Sequence, residues 1–136
     1  MNNLIVSSLD YLRIQKQINE AKQKKTIDPR EVEKLVQELN SATILNPQEI
    51  PGDVVTMNSI VKISFLEGGK QVEFKIVYPE DANFKEKKVS IFSPIATALI
   101  GFRVGDTIEW MVPGGLTKIR IDEIIYQPEA AGDFTV

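Results

Sequence analysis

Asp28 and Glu31, two carboxylates three positions apart, are residues of this chain that could share a divalent cation. Magnesium takes carboxylate oxygens and keeps waters or substrate phosphates as its other ligands, so two acids suffice chemically. The same four residues, Asp28-Pro29-Arg30-Glu31, also make a well-formed helix start. Aspartate accepts a first-turn N–H, proline fits the first helical position, and an acid at the third meets the positive end of the dipole. Capping is the reading the residues favour. Lys22, Lys24 and Lys25 stand just before this pair. They could touch acidic side chains or RNA, but lysines also belong at a helix C-terminus, where the dipole favours them.

Most other catalytic chemistry is excluded. The chain has no cysteine, hence no disulfide and no thiolate nucleophile. It has no histidine, so neither a Ser/His/Asp triad nor a histidine-based zinc site can be built. A formal net charge of −3 argues against binding nucleic acid through phosphate neutralisation. Gly101, Gly105, Gly114 and Gly115 lack the order of a phosphate-binding loop and read as turn residues. No cofactor and no bound metal are expected.

The second candidate site is Phe92-Ser93-Pro94-Ile95. Ser93 can cap a helix that Pro94 begins and Gly101 ends. That leaves about two turns, roughly 10 Å, too short to be stable alone. Ile95, Ala98 and Leu99 must therefore be held by a sheet. Phe92 can serve as an exposed aromatic anchor for a partner. Strand alternation offers a core reading as well, with Val89, Ile91 and Ser93 on one face and Ser90 and Phe92 on the other.

Two regions position these candidates. In the first, Tyr11, Ile14, Ile18, Ala21 and then Val32, Leu35, Leu39, Ala42 follow helical spacing. Ser7 or Ser8 caps the first helix and Asp28 the second. The short link at Lys24 to Ile27 folds the arms, about 15 residues and 20–25 Å each, into an antiparallel hairpin. Pro47 and Pro51 disfavour helix, which puts a boundary near Ile50 between a hairpin (1–50) and a globular domain (51–136).

Beyond that boundary the period becomes two. Val61, Ile63, Phe65 and Val72, Phe74, Ile76, Tyr78 read as a hairpin of strands around Glu67-Gly68-Gly69-Lys70. Ile108, Trp110, Val112 repeat the alternation, Pro113-Gly114-Gly115 turns the chain, and a last strand runs from Leu116 to Tyr126 with its parity disturbed at Asp122 to Ile125, the mark of either a bulge or burial of both faces. Pro79 to Lys88 reads as a surface loop.

SPIATALIGFRVGD, Ser93 to Asp106, resembles the Gre family of bacterial transcription factors in its Ser-Pro, Ala-Leu, Gly and Gly-Asp order. DVVTMNS (Asp53 to Ser59), PGG (Pro113 to Gly115) and YQPEAAGD (Tyr126 to Asp133) are more similar to a shorter branch of that family. The resemblance implies an α+β chain: a short helical hairpin, or coiled coil, followed by an FKBP-like antiparallel sheet wrapped on a short helix. It also implies bacterial RNA polymerase as the partner, with Phe92, Ser93, Pro94 and Ile95 docking at the rim of the secondary channel. Gre factors carry an acidic pair at the tip of a hairpin about twice as long, where it helps hold the magnesium ion of transcript cleavage. In this chain the tip would be formed by Lys24, Lys25, Asp28 and Glu31.

The expected function is thus a non-enzymatic regulator that binds RNA polymerase and competes with Gre-type factors without stimulating cleavage. The alternatives are a cleavage factor using Asp28 and Glu31, and an FKBP-like peptidyl-prolyl isomerase or chaperone. No apolar run nears the roughly 20 residues of a membrane span. A cytoplasmic monomer without sequence-specific nucleic-acid binding is expected.

Overall fold

The computed structural model describes residues 4–25, 27–112 and 115–133. The chain opens with a three-residue strand, β1 (Ile5–Ser7), that leads directly into helix α1 (Ser8–Lys24). Ser7 is the cap, its hydroxyl oxygen accepting the Asp10 N–H at 3.0 Å. Lys25 ends α1 in the left-handed conformation, φ 54°, and its N–H bonds the Ala21 carbonyl at 2.9 Å. Four residues later α2 (Pro29–Asn40) begins and packs back on α1. The arms are thus 17 and 12 residues, not equal, and Ala42 falls beyond the second helix.

A strand after the hairpin, β2 (Thr43–Leu45), pairs parallel with β1 and closes the base of the helical pair. This two-stranded sheet is absent from the expectation. Its strands are too short for periodicity to register, and their pairing depends on the hairpin between them.

The main sheet contains β3 (Ile60–Phe65), β4 (Gln71–Val77), β5 (Lys88–Ser90), β6 (Thr107–Val112) and β7 (Gly115–Tyr126), in the order β5-β4-β3-β7-β6. Four of these strands form antiparallel neighbours, but β5 runs parallel to β4. The sheet is therefore mixed, not wholly antiparallel. Pro79 to Lys87, an exposed segment with two single 3-10 turns, returns the chain so that β5 repeats the direction of β4. The disturbed parity of the last strand is a pair of bulges. Lys62 and Ile63 pair with Glu123 and Ile121, leaving Asp122 extra, and Ile60 and Val61 pair with Tyr126 and Ile124, leaving Ile125 extra. The expected inward side chain of Trp110 and the Pro113-Gly114 turn lie outside the described residues.

Helix α3 (Pro94–Leu99) buries Ala96, Thr97 and Leu99. One continuous apolar cluster takes in Ile14 and Ile18 of α1, Val32, Leu35 and Leu39 of α2, Leu99 of α3, and Val61, Ile63, Ile76, Ile119 and Ile121 of the sheet. The core runs across Ile50, so the hairpin lies against the sheet domain. Among the described residues no helix is long and apolar enough to cross a membrane.

Candidate functional site

The two sequence-level candidates, far apart in the chain, meet in space. Asp28, Arg30, Glu31 and Lys34 at the start of α2 line one crevice with Phe92, Pro94 and Thr97, about 320 Å³ in volume. The hairpin tip therefore stands beside the Ser-Pro loop instead of projecting away from it. At 1.5 Å per residue, α2 spans only about 18 Å.

At the tip, Asp28 Oδ1 accepts the Arg30 N–H at 2.9 Å, the capping bond its position predicts. Its Oδ2 accepts from the Arg30 guanidinium at 3.2 Å. The backbone N–H of Arg30 first, and its side chain second, hold the Asp28 carboxyl below its usual range. Glu31 is half-buried, while Lys24 and Lys25 are exposed. Asp28 is thus engaged as a cap and an ion-pair partner.

The loop is tied down by its own polar groups. Ser90 Oγ accepts the Phe92 N–H at 3.1 Å, and Thr97 donates its hydroxyl to the Ile91 carbonyl at 2.8 Å. Ser93 does not cap α3 with its side chain. Its hydroxyl donates to the Ser90 carbonyl at 2.7 Å, and its own carbonyl accepts the Thr97 N–H at 3.0 Å. Phe92 is only 3% exposed, so its ring belongs to the core and cannot be an exposed anchor. The reason is that β5 stops at Ser90. Ile91 and Phe92 lie in a turn, where alternation no longer applies, and both point inward. The exposed member of the motif is Pro94, flanked by the part-exposed Ser93 and Ile95.

The C-terminal segment after β7, whose small residues suggest a tail laid against the domain, is a strap. Gln127 Nε2 donates to the Pro51 and Val54 carbonyls at 2.8 and 2.7 Å, and Glu129 Oε1 accepts the Thr56 hydroxyl at 2.7 Å. No local signal marks these bonds, because each joins residues more than seventy positions apart.

A family model described as "Transcription elongation factor, GreA/GreB, C-term" matches residues 41–126. The "Regulator of nucleoside diphosphate kinase" of Escherichia coli strain K12 is 46% identical over 85 residues, 62% of this chain and 62% of the relative. "Transcription elongation factor GreA" of Thermotoga neapolitana is 37% identical over 73 residues, 54% of this chain and 47% of the relative. The match thus spans less than two thirds of either relative. Among solved structures, a prokaryotic transcription elongation factor GreA/GreB from Nitrosomonas europaea aligns with a TM-score of 0.74 and 35% identity, covering 91% of this chain and 100% of that one.

Proposed function

The chain belongs to the GreA/GreB family, and on that premise we propose that it regulates transcription by binding bacterial RNA polymerase at the secondary-channel rim. It acts as a monomer, docks through the Ser93-Pro94-Ile95 loop supported from beneath by Phe92, and competes with Gre-type factors without stimulating transcript cleavage. The observation that carries this reading is the crevice shared by the α2 start and the loop. A surface that docks through Pro94 holds Asp28 and Glu31 at its own level, whereas cleavage needs acids carried far beyond it. Engagement of Asp28 with Arg30 points the same way.

The isomerase reading needs an open apolar pocket between helix and sheet. The burial of Ala96 and Leu99 in the common core speaks against one. The test of docking is co-purification of the full chain with bacterial core RNA polymerase, with and without a Gre factor. We expect co-elution that the Gre factor reverses. Failure to co-elute at micromolar concentration would overturn the proposal.

A further inference from the structure

β5 is shorter than the strand it covers. It pairs with β4 only from Lys75 onward, at Lys75–Lys88, Ile76–Val89 and Val77–Ser90. β4 begins earlier, at Gln71, and on its other side β3 accompanies it through that whole first half. A strand directs its backbone N–H and C=O groups to alternate sides. The Lys75 N–H bonds the Lys87 carbonyl at 2.8 Å and the Val77 carbonyl accepts the Ile91 N–H at 2.8 Å, both toward β5. Lys70 and Ile76 bond the other way, to Phe65 and Ser59. Gln71 and Glu73 therefore present their backbone groups to the side that β5 does not reach. Among the described residues no strand pairs with them there. The outer edge of β5 itself is closed, because Asn83 and Lys88 exchange backbone bonds at 3.0 Å. The open edge is thus confined to Gln71–Phe74.

That edge borders an open crevice of about 810 Å³. Val72, Phe74 and Val89 give it an apolar wall, and Phe84, in the turn before β5, completes it. Phe84 is 93% exposed, the most exposed large apolar side chain among the described residues. An aromatic ring beside unpaired strand edge is a liability in a free chain and marks a surface that a partner covers. The charges around it are of one sign once local pairs are removed. Lys62 stands opposite Glu73 in the ladder, and Lys88 pairs with Glu86 at 3.0 Å. Lys85 and Lys87 line the crevice, fully on the surface, and close no ion pair among the described residues. A second copy of this chain would bring the same lysines against one another, so the charge favours a different, acidic partner.

We propose that the Gln71–Phe74 edge of β4 receives an extended acidic segment of a partner protein, which adds a strand to the sheet in line with β5. Its backbone pairs with Gln71 and Glu73, its alternate apolar side chains pack on Phe84 and Val72, and its carboxylates meet Lys85 and Lys87. The crevice shares no residue with the one at Pro94, so this surface stands apart from the polymerase-docking reading and does not depend on it.

The test is a fluorescence-anisotropy titration of the full chain into the peptide fluorescein-Asp-Asp-Thr-Val-Thr-Phe-Asp-Asp-amide. Saturable binding with Kd below about 1 mM is expected. Phe84→Ala should weaken it about tenfold or more and leave thermal unfolding unchanged, because the ring touches little of the free chain. Lys85→Glu should weaken it severalfold, an effect that fades at high salt. The same peptide N-methylated at its four central amides should lose saturable binding, since it cannot extend the ladder. In the complex, exchange of the Gln71 and Glu73 amide hydrogens with solvent should slow about tenfold or more. No saturable binding up to about 1 mM, or binding that Phe84→Ala and N-methylation both leave unchanged, would overturn the docking edge. Equal binding of a peptide with lysine in place of every aspartate would overturn the acidic assignment. A dimer of the chain alone that Phe84→Ala dissociates would overturn the partner in favour of a second copy.

Discussion

The carboxylate of Asp10, in the first turn of α1, accepts the backbone N–H of Met57 at 3.1 Å and so joins the helical hairpin to the approach of the main sheet. Asp10 is 3% exposed. Burial first, and the charge of Glu129 second, push its pKa up to about 7, against the pull of the Met57 N–H and Arg13.

That position makes stability depend on pH in a defined direction. An unfolded aspartate titrates near 4, so between about 4 and 7 the folded chain binds more protons than the unfolded one. The Asp10 contribution to stability is therefore greatest below the unfolded value. It is lost as pH rises through the folded value of about 7, and is flat above. Asp10→Asn keeps an acceptor for Met57 and removes the charge. At pH 8 the variant should be more stable than the parent by about 1 kcal/mol or more, several degrees in Tm, and the gap should narrow at pH 5. Thermal unfolding at both pH values measures this; parallel curves would contradict it.

Gly101 has two tasks. Its φ of 84° ends α3, as the sequence indicates, and its missing side chain admits β1. A Cβ there would stand 3.1 Å from Leu4 Cβ and 3.4 Å from the Ile5 backbone. The Gly101 carbonyl also accepts the Ile5 N–H at 3.2 Å. Gly101→Ala should therefore lose more than about 1 kcal/mol, through strain at positive φ and displacement of β1. Urea unfolding monitors it, and a midpoint equal to the parent's would contradict the close approach.

The division between what the sequence discloses and what it hides follows the range of each interaction. Asp28 with Pro29, the apolar stripes of α1 and α2, and the bulges of β7 are legible because caps and periods are local. The β1–β2 pairing, the second task of Gly101 and the Gln127 strap rest on contacts across the fold. Phe92 misleads for a different reason. The exposed-anchor reading comes from the Gre resemblance, whereas the core reading that strand alternation also offers is the one its burial matches, although Ile91 and Phe92 both reach the core from a turn and not from alternating strand faces. The meeting of Asp28 and Glu31 with Pro94 needed the hairpin's placement, which no local pattern encodes.

Because Phe92 is buried and Pro94 exposed, substitutions at the two should separate stability from docking. Phe92→Ala should cost about 3–5 kcal/mol of folding stability by opening a core cavity. Pro94→Asp should leave Tm within a few degrees, since it sits on the surface at the first turn of a helix. It should still weaken co-purification with core polymerase about tenfold or more. Undiminished binding by folded Pro94→Asp would remove the loop from the docking surface.

The most direct test of the central claim is transcript cleavage in stalled bacterial elongation complexes, with this protein alone and titrated against GreA. No cleavage above background is expected from the protein alone, together with a dose-dependent loss of GreA-stimulated cleavage. Asp28→Ala should retain that inhibition, with only a small drop in Tm from the lost cap. Cleavage by the protein alone that Asp28→Ala abolishes would contradict the account, as would GreA activity untouched at saturating protein.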